Sequence, residues 1–127
     1  MDKPDARPEG PYDIETQAMY QPLQHIDVAA LAAAQTPWWN RTLCAVNDAV
    51  VRLAVIEGEF HWHKHDEEDE FFYVVSGHLD VDLDGRTVGL DPDQGFTVPR
   101  GVMHRTRAPA RTVILMVEKA GVVPTGD

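Results

Sequence analysis

With 127 residues, 43% of them hydrophobic and 25% charged, the chain has the make-up of one ordinary soluble domain, large enough to form a core without disulfides or a structural metal. Its formal charge of −10, with no basic cluster denser than Arg100 to Arg111, argues against a nucleic-acid partner, and no apolar run is long enough to cross a membrane. A single cysteine, Cys44, excludes an intrachain disulfide and a sulfur-rich zinc site, so any metal must be held by nitrogen and oxygen.

Residues 1–24 contain Pro4, Pro8, Pro11 and Pro22 and little apolar periodicity, the pattern of an extended arm. Such an arm is either disordered or laid across a neighbouring subunit, with Tyr12, Ile14, Met19 and Tyr20 as the groups it could bury. The opening residues show no secretion-signal layout, and a cytoplasmic location is the expectation. Asp27 is placed to cap a short helix over Val28 to Gln35, which Thr36-Pro37 ends. Trp38 and Trp39 then serve to pack helix and arm on the main body.

From Arg41 the chain reads as short strands separated by turn residues, an all-β pattern. Strands are expected at Val50 to Glu57, Phe60 to His65, Phe71 to Ser76, Leu79 to Leu83, Thr87 to Leu90, Phe96 to Val98, His104 to Arg107 and Arg111 to Glu118. Asp84-Gly85 predicts a type I′ hairpin, and Pro109 a break between the last two strands. This divides the chain into an arm and helix (1–40), a barrel (41–120) and a loose tail (121–127).

The chemistry concentrates between Glu59 and Gly77. In a strand, His61, His63 and His65 point to one side, and histidines two apart lie about 6.5 to 7 Å apart at Cα, so two imidazoles can reach one metal ion. Asp66 to Asp69 reads as a solvated acidic loop. By strand parity Glu70, Phe72, Val74, Phe96 and Val98 face inward, while Phe71, Tyr73 and Val75 face out. A sheet apolar on both sides needs a cover, which predicts a second sheet or a subunit partner in a homodimer. Arg105 and Arg107 fall on the opposite face from His104 and read as surface residues.

His63-x-His65, Glu70 five residues on and Gly77 seven beyond that resemble the first sequence motif of the cupin family. Only its opening glycine is displaced, to Gly58. The stretch from Asp93 through Pro99, Gly101 and His104 resembles the second, with Asp93 in place of its leading Gly and Ala108 in place of its Asn. The likeness covers about residues 45 to 118. It implies a double-stranded β-helix, or jelly-roll barrel, with a metal held by His63, His65, Glu70 and His104 in its mouth. Three imidazoles and a carboxylate suit Mn, Fe, Co, Ni or Zn as a divalent ion, and two open positions would make the ion catalytic or ligand-binding. His61, outside the motif, is a candidate acid–base or supporting group, and Phe72 and Phe96 are candidate pocket walls. The expected function is a metal-dependent enzyme on an oxygen-bearing small molecule, of dioxygenase, isomerase, decarboxylase or cyclase type, with a lean toward aromatic or polyketide-like substrates. The alternative is a non-catalytic module that binds or senses a small ligand or the metal itself.

Overall fold

The computed structural model describes residues 12–127; the first eleven residues of the arm lie outside it. Alternating apolar positions and turn residues resolve into β1 (Asp13–Glu15), α1 (Val28–Ala33), β2 (Trp39–Val46), β3 (Ala49–Glu59), β4 (Glu70–Ser76), β5 (Leu79–Leu83), β6 (Arg86–Leu90), β7 (Gly95–Val98) and β8 (Arg105–Lys119). The sheet runs β1-β2-β3-β8-β4-β7, with β5 on the first half of β8 and β6 on β5. Every pairing is antiparallel except β1 on β2. This is the all-β jelly-roll barrel that the strand pattern predicts. No helix among the described residues is long and apolar enough to cross a membrane.

Strand parity sorts the side chains into two cores. Ala54, Ile56, Phe72, Val74, Ile114 and Met116 point inward and pack with Leu79 and Val81. Leu53, Val55 and Val113 point outward, where they meet Ala32, Trp39 and Leu43. The outer face is thus covered largely by the chain's own α1 and the segment before it, with Tyr20, Ile26 and Val28 against it. Beyond this cover a cross-strand row, Val51–Val117–Phe71, stays partly exposed, with Val117 at 39%.

The helix is held as its sequence dictates at one end and by a distant residue at the other. The Asp27 carboxylate accepts from the Ala30 N–H at 3.0 Å. Arg111 donates to the carbonyl oxygens of Ala32 (2.7 Å), which also accepts from the Gln35 N–H, and of Gln35 (3.1 Å), just past the helix end. Arg111 reaches there from a bulge. Ile56 pairs with Thr112 and Gly58 with Ala108, so a two-residue step on β3 faces a four-residue step on β8. Pro109 sits in that surplus, where no ladder N–H is required, and β8 runs on through it instead of dividing in two.

Two further expectations are corrected. The β5–β6 turn has Leu83 opposite Arg86, but left-handed φ is confined to Gly85 (+81°), whereas a type I′ turn needs it at Asp84 as well. The tail is docked, not loose: Val122 is buried, the Asp127 N–H donates to the Lys64 carbonyl at 2.9 Å, and the Asp127 carboxylate accepts from the Asp66 N–H at 2.6 Å.

Candidate metal centre

The two histidine-bearing stretches are tied to each other by backbone hydrogen bonds. Phe60 N–H donates to the Thr106 carbonyl at 2.9 Å, and His63 and His104 exchange both N–H···O bonds, each 2.9 Å. Three residues on one side therefore span two on the other, and Phe60 to His65 is not the regular strand its alternation predicts. The turn at Pro99-Arg100-Gly101 closes on the same stretch, with Gly101 N–H donating to the His65 carbonyl at 2.8 Å. β4 then begins at Glu70, whose inward parity it shares with Phe72 and Val74.

These ties bring four buried side chains together. One ligand atom from each of His63, His65, Glu70 and His104 lies within 4.8 Å of all the others. Glu70 Oε1 is 3.2 Å from His65 Nε2 and 3.4 Å from His104 Nε2. His63 Nδ1 stands 3.0 Å from the His61 carbonyl and His104 Nδ1 2.9 Å from the Val102 carbonyl. A carbonyl accepts only from N–H, so both imidazoles carry hydrogen on Nδ1 and turn the Nε2 lone pair inward, the orientation a metal-bound histidine needs.

The protonation preferences follow from burial set against neighbours. Burial pushes the His63 imidazole down to about 3, with the His104 charge acting the same way, so it is neutral at ordinary pH. Burial also opposes charge on His65, but the Glu70 carboxylate outweighs it and moves that imidazole up. For Glu70 burial alone would raise the carboxyl, yet the adjoining His104 and His65 hold it below its ordinary value. His65 Nε2, Glu70 Oε1 and His104 Nε2 are buried without a hydrogen-bond partner. Orphaned polar atoms converging in this way are costly unless a cation or proton satisfies them, and the set of imidazole nitrogens and carboxylate oxygen fits a divalent transition-metal ion.

Through His63 and Glu70 the set borders a pocket whose walls are mostly apolar: Ala54, Ile56, Phe72, Ile114 and Met116 from the barrel, with the rings of Tyr12, Trp38 and Phe60 packed edge-on or tilted against one another. Two buried charged residues interrupt this lining. Arg52 and Glu118 face each other with Nε and Oε1 3.6 Å apart. Burial pushes the Arg52 guanidinium down against the pull of Glu118. Burial, reinforced by the Glu70 charge, pushes the Glu118 carboxyl up.

The family profile described as Cupin domain matches residues 49–118. The chain belongs to the cupin family. This cupin is 45% identical over 80 residues to an uncharacterized Bacillus subtilis (strain 168) protein, YdbB, a match covering 62% of this chain and 71% of YdbB. It is 51% identical over 45 residues to the polyketide synthase CurC of Streptomyces cyaneus, covering 35% of this chain and 29% of CurC. Among solved structures it is similar to a cupin-2 domain containing protein from Shewanella frigidimarina NCIMB 400. That match has a TM-score of 0.71 and 28% identity, and covers 74% of this chain and 93% of the other.

In this cupin the four residues implied by the motif resemblance lie together, and the remaining candidates lie around them. His61 is partly buried beside His63, ring centroids 5.2 Å apart, with Nε2 2.6 Å from the Thr125 carbonyl in the tail; it is outside the four-residue group. Phe72 lines the pocket, whereas Phe96 packs on the inner core from β7 and is not among the lining residues. The acidic run is a surface loop, anchored where Asp69 accepts from the Arg100 N–H at 2.9 Å. Arg105 and Arg107 are spent on the buried Asp82. Sequence reasoning passed over Arg52 and Glu118. The signal was parity: each is a charged residue on the inward face of an otherwise apolar strand, two positions from Ala54 and Met116 respectively.

Proposed function

We propose that this cupin is a metal-dependent enzyme acting on a small oxygen-bearing organic molecule, of oxygenase or isomerase type, with an aromatic or polyketide-like skeleton. The observation that supports it is a convergent, buried set of three imidazoles and one carboxylate bordering a largely apolar pocket. His63, His65, Glu70 and His104 would hold the ion, and the ion would supply Lewis acidity toward an oxygen of the ligand. The two backbone carbonyls that receive the Nδ1–H groups of His63 and His104 keep those rings aimed. The aromatic and aliphatic walls exclude water and orient a flat ligand. The segment shared with polyketide synthase CurC supports the choice of skeleton.

Elemental analysis of protein purified without added metal or chelator tests this, run beside a His63→Ala, His104→Ala double variant. About one equivalent of a divalent transition metal, absent from the variant, is the expected result, and it would be followed by screening aromatic compounds for turnover and oxygen uptake. Metal-free protein that also fails to take up Mn, Fe, Co, Ni or Zn on reconstitution would overturn the reading. Tight metal binding without turnover of any compound would leave a binding or sensing module in its place.

A further inference from the structure

Arg52 and Glu118 carry an unsatisfied set of hydrogen-bonding atoms in the pocket wall, with Glu118 directly across the β4–β8 ladder from Glu70. Arg52 is anchored: Nη1 donates to Thr42 Oγ1 at 2.5 Å and Nη2 donates to Asn40 Oδ1. Its Nε–H has no hydrogen-bond partner, and neither oxygen of Glu118 has one, although the side chains are only 3% and 1% exposed. At 3.6 Å the two groups attract without bonding. A pair that served only to hold β3 to β8 would close that gap, since buried charges left without hydrogen bonds cost more than they return. The pair stands in the same pocket as His63 and Glu70 but outside the four-residue ligand group.

We propose that Arg52 and Glu118 form an oxygen-recognition subsite for the hydroxyl group of a neutral, phenol-like ligand. A hydroxyl donates one hydrogen bond and accepts others, which answers one Glu118 oxygen and the Arg52 Nε–H together. A carboxylate ligand is the wrong partner: it brings no hydrogen for the Glu118 oxygens, and the Glu70 carboxylate across the β4–β8 ladder repels a second anion. An ammonium ligand meets the Arg52 charge. Ile56, Phe72, Ile114 and Met116 wall the same pocket and give a ring body an apolar bed. This assignment rests on the proposed enzymatic reading and deepens it, by naming the residues that read the ligand's hydroxyl beside the four would-be metal ligands.

The test measures dissociation constants of phenol and toluene, equal in shape and different in the hydroxyl, on the protein as purified with its metal. The wild type is expected to prefer phenol by on the order of 10-fold, the worth of one well-made hydrogen bond. Glu118→Leu and Arg52→Met should bind both compounds alike with metal content unchanged, while Glu118→Gln, which keeps an accepting oxygen, should retain part of the preference. A wild type that holds metal and binds both compounds equally sinks the subsite and leaves the enzymatic reading standing. So does a preference that survives in a folded, metal-loaded Glu118→Leu protein. A wild type that holds no metal and binds neither compound fails the underlying reading instead. Should Arg52→Met not fold, the wild-type ratio and the two Glu118 variants decide the matter.

Discussion

Single side chains divide here into those that would hold an ion and those that hold the barrel. Losing a supporting hydrogen bond to a metal ligand typically weakens binding about 10- to 100-fold, so removing a ligand outright, as in His65→Ala or His104→Ala, should weaken metal binding by more than about 100-fold. Circular dichroism should show the sheet retained, because the inner core of Val74, Leu79 and Val81 owes nothing to the ion. Collapse of both variants would show that the site is structural. Asp82 belongs to the second class. Hydrogen bonds from Arg107, with Thr87 and Arg105 adding to them against the cost of burial, hold its carboxyl at about 2, below the ordinary 3.8. A depressed carboxyl stabilises the fold above its ordinary value, and that contribution is lost as pH falls toward 2. The melting temperature of the wild type should therefore drop between about pH 4 and pH 2 more steeply than that of Asp82→Asn; parallel curves would remove Asp82 from the acid response.

At the scale of elements, turns and bulges set what the strands can present. Gly77 joins β4 to β5 with φ +93°, and a Cβ there would stand 2.4 Å from Thr112 Oγ1 and 2.8 Å from Thr112 Cα. The second of these is backbone and cannot rotate away. Gly77→Ala should cost about 1–3 kcal/mol in chemical denaturation, and a change within 0.5 kcal/mol would mean that β8 yields easily at this point. Strand identity from β3 onward, apart from Phe60 to His65, and the ligand spacing were legible in the sequence because alternation and the two histidine motifs are local patterns. The bulges were not. Nothing near Pro109 says that β3 supplies two residues against four, and nothing near His61 says that a three-against-two step separates it from Phe60's pairing. Both depend on the register of a strand some fifty residues away, and the same dependence hid the cap that Arg111 places on α1.

For the whole molecule, the cover over the outer face came from an unexpected source. Apolar residues on both strand faces correctly called for a covering layer, but the helix and the segment before it supply most of it, where a second sheet or a partner was expected. The partly exposed row of Val51, Val117 and Phe71 supports a smaller role for a partner, and we propose a homodimer through it. Light scattering coupled to size exclusion should give twice the 14.2 kDa chain mass, and Val117→Lys should return it to one chain. A monomeric wild type would dismiss the dimer.

The pocket walls come from two kinds of chain. The would-be ligands, together with Arg52, Glu118 and the barrel walls, all lie within residues 49–118, the span that the family shares. Tyr12, Trp38 and Asn40 come from before it, and Pro124 from after it. Gly126 fits so closely that a Cβ would stand 2.5 Å from His63 Cβ. The flanks thus supply part of the pocket wall and, at Gly126, also pack on a would-be ligand. A change in either flank therefore alters the shape of the pocket without altering the identity of the four would-be ligands, and a side chain at position 126 would press on His63 itself.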